Sequence, residues 1–356
     1  MLARLWYDFE DNSHIKAREC FMNIISKRAS DAFGKRIGDW CQSHGVMYIG
    51  HVIEDNGAHR STGYGLGHFF RSVEGQHMSG VDIVLHQLMP GLTEVSSAGS
   101  TSYREMDNKL YHYVLGKLAS SSAHIDPKKQ GRAMCELFGA FGWAEDTGFM
   151  KYLIDHFMLR GINYYVPHAF SPKKDDTDCP PNFYNTGKNP QFKYFGMLMD
   201  YINRMCALTD GATHIPTAAV IYDAEASWSI DICKETEFPK FVHHRSSSEL
   251  FDVTGADELP SFTGNIKYST KVILDANKNK TLDLGSVGTT AEVKINGIHV
   301  GTRIFQPYRF DISDAVKDGE NTIEVLVTNT CVFEQRDKFS RFMAIRPSGI
   351  LGPVKI

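Results

Sequence analysis

The stretch "RAMCELFGAFGW", residues 132–143, decides how the first half of the chain is read. A short apolar run delivers one acid, Glu136, and is followed by glycines, bulky apolar residues and Trp143. Burying a charge is costly. A carboxylate at the end of such a run is therefore either paired for structural reasons, with Arg132 or Lys151 in reach, or is there for chemistry.

Working outward, similar runs recur with helical stretches between them. "KRASDAFGKRIGDWCQSHG" has helical periodicity and stops at Gly45. "VMYIGHV" (46–52) reads as a buried strand, "GVDIVLHQL" (80–88) as a second and "RAMCELFG" as a third. "TGFMKYLIDHFMLRG" predicts a helix ending at Gly161, and "INYYVPHAF" a fourth strand. "FKYFGMLMDYINRMCALTDG" predicts another helix, and "TAAVIYDAE" a fifth strand. Strands alternating with helices imply parallel βαβ units, and runs that are apolar throughout imply strands covered on both faces. From about residue 263 the period changes. "KYSTKVILD", "KTLDLGSV", "AEVKING", "YRFDIS" and "NTIEVLVTNT" alternate strongly, with turn residues at Asn296-Gly297 and Asp318-Gly319. That pattern predicts an antiparallel sandwich. Residues 229–262 lack clear periodicity and read as a linker.

Composition narrows the function. The chain has 356 residues, 42% hydrophobic and 22% charged, enough for a sizeable core. A formal net charge of −4 argues against nucleic acid or an anionic membrane as the main partner. No apolar run approaches the roughly 20 residues that span a bilayer. "MLARLWYDFEDN" places acids where a signal peptide needs an apolar stretch, so a cytoplasmic location is expected. Seven cysteines without a CxxC pair argue against both a disulfide scaffold and a cysteine zinc site.

In parallel α/β barrels the chemistry sits at the C-terminal ends of the strands. There the sequence places His51, Glu54, Asp55 and Asn56; Asp82, His86 and Gln87; Glu136; His168; and Glu225. Histidines, carboxylates and aromatics (Trp143, Tyr164, Phe170, Tyr184) at one rim suit a sugar, and two carboxylates across such a rim suit glycosidic hydrolysis. Each residue also has a structural reading. Glu54 lies in a loop signal, "EDNGAHRSTGYG", and could be solvated. His51, His86 and His168 could be satisfied core histidines, Asp82 could cap or hydrogen-bond the interior, and Glu225 reads more naturally as a domain-junction residue. The glycines of "STGYGLGHFF" do not follow a strand and open a helix, so they carry no phosphate-loop reading. No HExxH pattern appears and no metal site is expected, although a structural divalent cation such as calcium is compatible.

The stretch "GRAMCELFGAFGW…MKYLIDHFMLRGINYYVPHAFSP" resembles the last barrel strands of large bacterial glycoside hydrolases. It is most similar to the family 106 α-L-rhamnosidases and more distantly to the family 42 β-galactosidases. "LDLGSVGTTAEVKINGIHVGTRIFQPYRFDIS…GENTIEVLVTNT…SGILGPVKI" resembles the galactose-binding-like jelly roll of family 2 and family 106 enzymes. "TAAVIYDAEASW" resembles the start of a Rossmann-like domain, although only about 35 residues then precede the jelly roll, against roughly 100–150 for a usual domain.

The resemblance implies an α/β plus all-β chain. Residues 1–228 would be the C-terminal half of a (β/α)8 barrel, 229–262 a linker or Rossmann-like remnant, and 263–356 a β-sandwich jelly roll. It implies that "MCELFG" is the seventh barrel strand, that Glu136 takes the nucleophile's place, and that strands one to four precede Met1. The acid/base would then lie upstream unless Glu54 fills the role, with His51, Asp82, His86, Trp143, His168 and Tyr184 binding an oligosaccharide or glycoside. Open strand edges imply self-association or an upstream half-barrel partner. The alternative is a non-catalytic carbohydrate-binding remnant of such an enzyme.

Overall fold

The computed structural model describes residues 2–52, 67–91, 110–171, 173, 176, 178–228, 262–335, 337–340 and 343–356. The linker expected at 229–262 lies, except for Phe262, outside the described residues, as does Glu54. The chain divides into two compact units: Met1–Leu137, Ile154–Pro167 and Asn203–Pro239 form the first, and Phe138–Leu153, His168–Ile202 and Lys240–Ile356 the second.

The first unit is built on a parallel sheet of three strands, β1 (Ser79–Asp82), β2 (Ala133–Leu137) and β3 (Tyr164–Pro167), in that order. Val81, Ala133, Cys135 and Leu137 are fully buried, as expected of strands with covered faces. Asn163 fixes the start of β2: its Oδ1 accepts the Ala133 N–H at 2.9 Å and its Nδ2 donates to the Gly131 carbonyl at 3.1 Å. The long N-terminal helix α1 (Ser13–Ala29) passes through a π-turn at Ser30–Gly34 into α2 (Lys35–Ser43). Gly45 (φ +68) and Gly161 (φ +92) stop the helices before them in the left-handed conformation that favours glycine.

Two sequence expectations are corrected here. "VMYIGHV" contributes no extended strand; a single parallel bridge joins Ile49 to Met78. The His77 imidazole supplies the reason. Its Nδ1 accepts the Tyr48 N–H at 2.9 Å, and the His77 N–H donates to the Tyr48 carbonyl at 2.8 Å, so a side chain takes a place the ladder would have filled. "TAAVIYDAE" forms no strand at all: Val220 and Ile221 are 93% and 90% exposed, and a short helix α7 (Ala224–Trp228) follows. A β-prone run without a neighbouring strand has nowhere to place its backbone hydrogen bonds. The described sheet is thus open and does not close into a barrel.

The second unit carries the antiparallel sandwich. β4 (Asn265–Leu274), β10 (Gly319–Thr328), β7 (Thr290–Ile295) and β8 (Ile298–Arg303) form one sheet in that order. β5 (Thr281–Asp283) pairs β9 (Arg309–Asp311), and β6 (Ser286–Val287) pairs β11 (Ile350–Gly352). Their inward positions, among them Leu282, Val293, Ile295, Tyr308, Phe310, Val325 and Val327, make one apolar core. Asn296 and Gly297 turn β7 into β8 with φ of +53 and +83, the pair of left-handed residues a tight hairpin needs.

Candidate functional site

In the first unit, three predicted site residues converge. β1 and β2 are parallel and in register so that Asp82 lies beside Glu136, and the Ile83 N–H donates to the Glu136 carbonyl at 3.1 Å. Register partners on adjacent strands present side chains to the same face, so both carboxylates leave the sheet together at its C-terminal end. His51 arrives from the neighbouring segment. The close approach depends on Gly80: a Cβ there would sit 2.0 Å from the Gly50 carbonyl oxygen, so any larger residue would push residues 50–51 away from β1.

The result is a half-buried ion pair, His51 Nε2 to Glu136 Oε2 at 3.3 Å, with Asp82 buried alongside. One ligand-type atom from each of His51, Asp82 and Glu136 lies within 4.8 Å of the others. The His51 Nδ1 is 2.8 Å from the Val52 carbonyl, which can only accept, so Nδ1 carries the hydrogen and Nε2 faces the carboxylates. Two carboxylates and an imidazole this close favour a proton or a cation among them. A proton on Nε2 supplies the positive charge, and so would a bound cation. One imidazole and two carboxylates provide three ligands of a divalent ion's set; calcium's usual six to eight oxygens would have to be completed by water or substrate.

His86 is buried in the first unit, with a left-handed backbone (φ +62). Trp143, His168 and Tyr184 belong to the second unit. Trp143 is buried, and its N–H donates to the Asp337 carboxylate at 3.1 Å. Tyr184 is exposed and ring-stacked with Phe170.

Sequence reasoning passed over one chemically unusual pair. Glu145 and Asp146 are both buried. Asp146 is ion-paired with Arg346 (Nε to Oδ2, 2.8 Å) and accepts from the Phe149 N–H at 2.7 Å, whereas neither Glu145 carboxyl oxygen has a hydrogen-bond partner among the described residues. Burial, then the neighbouring Asp146 charge, pushes the Glu145 carboxyl well above its ordinary range. The signal was available in "GWAEDTG": two adjacent acids between buried aromatics.

Residues 260–342 match the family described as the glycosyl hydrolase 2 galactose-binding domain-like family. A curated protein of Formosa agariphila named as a β-glucuronidase is 45% identical over 73 residues, which is 19% of this chain and 6% of that protein. A rhamnosidase structure from Novosphingobium sp. PP1Y superposes with a TM-score of 0.59 at 13% identity, over 95% of this chain and 55% of the other. A β-D-glucuronidase structure from Dictyoglomus thermophilum is 28% identical over 22% of this chain and 14% of its own, with a TM-score of 0.20.

The chain carries a glycoside-hydrolase-type galactose-binding-like domain. Its fold is similar to that of the rhamnosidase structure, of whose chain it spans about half. No helix among the described residues is long and apolar enough to cross a membrane.

Proposed function

We propose that the chain is a glycoside hydrolase, or the C-terminal portion of one, in which Glu136 is a reacting carboxylate. The observation that carries the reading is the convergence of His51, Asp82 and Glu136 at the ends of neighbouring parallel strands, where such folds place their chemistry. The three strands and the Ile49 bridge are read as consecutive strands of a (β/α)8 barrel, a reading supported by the rhamnosidase superposition.

The geometry also restricts the mechanism. Paired glycosidase carboxylates stand about 5–5.5 Å apart for retention and about 6.5–9.5 Å apart for inversion. Asp82 and Glu136 offer carboxylate oxygens within 4.8 Å of each other on the same face of the sheet, which supports a reading in which they lie on one side of a substrate rather than flanking its scissile bond. In the proposed arrangement Glu136 acts as base or nucleophile, His51 orients it, and Asp82 holds the charge balance. The opposing acid comes from another segment; Glu54 is the candidate on sequence grounds.

The test is Glu136→Gln, assayed on p-nitrophenyl α-L-rhamnoside and p-nitrophenyl β-D-glucuronide. The expected outcome is turnover lowered by at least about 10³-fold with an unchanged melt, as for loss of a positioned acid–base group. Turnover retained by the variant would refute the assignment. The second reading, a carbohydrate-binding remnant, is favoured by one observation: the match of residues 260–342 to a galactose-binding-like domain. Wild-type protein inert on both glycosides supports that reading.

A further inference from the structure

We propose that an aromatic ledge in the second unit, formed by Phe170, Tyr184 and Phe192, is a binding subsite for a neutral pyranose ring. The inference rests on the carbohydrate reading above, though not on turnover. Phe170 and Tyr184 are 62% and 42% exposed, a large apolar area to leave in water. Their rings lie nearly parallel, 18° apart with centroids at 6.2 Å. Phe192 closes the triangle at 5.1 Å from Tyr184 and 6.0 Å from Phe170. Behind it, Phe195 stacks on the buried Phe183 at 4.2 Å, which anchors the ledge to the core. The backbone brings the two rims together through the Phe183 N–H, which donates to the Ala169 carbonyl at 3.2 Å.

The polar side of the ledge identifies the ligand class. Asn185, next to Tyr184, is 8% exposed, and its Nδ2 has no hydrogen-bond partner among the described residues. The Nδ1 of His168, two residues before Phe170, is likewise buried without one. Buried donors are almost always satisfied, so an orphan amide beside exposed aromatic rings points to an acceptor supplied from outside. A pyranose has the matching surface, with C–H groups on one face to lie on a ring and hydroxyls at the rim to accept from an amide. The turn that presents Asn185 holds it and Thr186 at φ of +46 and +52, conformations that cost energy in non-glycine residues. The orphan donor on the turn is a neutral amide, which suits an uncharged sugar better than a uronate.

The experiment uses the full chain and ligand-observed saturation-transfer NMR with titration. The probes are methyl α-L-rhamnopyranoside and β-1,4-galactotetraose, with D-glucuronate as the charged comparison. Wild-type protein is expected to bind at least one neutral probe more tightly than glucuronate. Phe170→Ala and Tyr184→Ala should each weaken that binding about three- to tenfold, the range of an aromatic stacking contact. Phe170→Leu, which keeps apolar volume and removes the flat ring, covers the case in which the alanine variants fail to fold. Glu136→Gln reports on turnover and the ledge variants report on binding, so loss of turnover and loss of ledge binding are read on separate proteins. Absence of binding to both neutral probes, preference for glucuronate, or unchanged affinity in folded Phe170 and Tyr184 variants would overturn the proposal.

Discussion

Glu145 shows what one misplaced charge does to a unit. The carboxyl is 3% exposed, and both of its oxygens are without hydrogen-bond partners among the described residues. Its folded-state affinity for a proton is raised by burial first and by the Asp146 charge second. The linkage runs in one direction. Where the folded group binds its proton more tightly than the unfolded one, the protonated, stable form persists at low pH. Stability then falls as pH rises above the ordinary glutamate range of about 4.3. Glu145→Gln removes the titration, so the variant's melting temperature should change less between pH 4.5 and pH 8 than the wild type's. Glu145→Met also removes the unsatisfied polar atoms and should stabilise the protein by about 1–3 kcal/mol at pH 7.5. Differential scanning calorimetry at both pH values checks this; a Met variant that melts lower than wild type at pH 7.5 counts against it.

At the scale of elements, one packing device carries a pH signature and a second does not. Near the end of α5 (Thr147–Met158), His156 meets His112 with ring centroids 5.5 Å apart, and Arg160 donates to the carbonyls of both residues. Burial, then the Arg160 charge, pulls the His156 imidazole down to about 4 from an ordinary 6.5. A group with a depressed folded value contributes its stability above pH 6.5 and loses it as pH falls towards 4. The loss is on the order of 3 kcal/mol when complete. His156→Gln should therefore flatten the acid limb of a melting-temperature profile between pH 7 and pH 4.5; an unchanged limb would sink the attribution. In the sandwich, the fully buried Asn321 bonds the Lys317 and Gly319 carbonyls, the Lys317 N–H and the Asn296 amide. Asn321→Ala leaves several buried groups unmatched and should cost roughly 3 kcal/mol in urea unfolding.

These elements also show where the sequence was transparent. β2, β3 and the helices ending at Gly161 and before Gly211 were legible because their apolar runs and glycine stops coincide. β4, β7 and β10 were legible because one face is buried and the pattern alternates. Most of α1 (Ser13–Ala29) was not: its buried stripe is His14, Arg18, Met22 and Ser26, helically spaced but mostly polar. Arg18 makes that stripe tolerable by pairing with Asp8 at 2.8 Å and donating to the Leu5 carbonyl at 3.3 Å. "TAAVIYDAE" misled for the opposite reason, having strand propensity without a strand partner. At the site, the strand-end rule located His51, Asp82 and Glu136. It could not show that Asp82 and Glu136 share one face, because that depends on the register between β1 and β2.

For the whole molecule, the sandwich poses a separable question: how much of the second unit's stability is its own. Its core, from Leu282 to Ile350, draws every buried residue from within 262–356, and its central strand β10 pairs β4 over its whole length and β7 over Ile323–Thr328. A segment with its own closed core should fold alone. Yet earlier segments of the same unit bond to it. Thr147 Oγ1 donates to the Ile304 carbonyl at 2.6 Å, Tyr194 Oη lies 3.2 Å from Thr328 Oγ1, and Lys193 Nζ donates to Asn265 at 3.2 Å. The Ala144 N–H also donates to Ser340 Oγ at 3.0 Å. Each internal bond of this kind contributes about 0.5–1.5 kcal/mol, so losing the four would remove roughly 2–6 kcal/mol from a domain whose total is about 5–15 kcal/mol. Residues 262–356 expressed alone should therefore show dispersed amide resonances and a single cooperative melt, at a temperature clearly below that of the same segment in the full chain. A broad, non-cooperative transition would show that the core needs the preceding segments to form. An equal melting temperature would show that those four bonds, together with the Trp143–Asp337 bond and the Asp146–Arg346 pair, contribute nothing net.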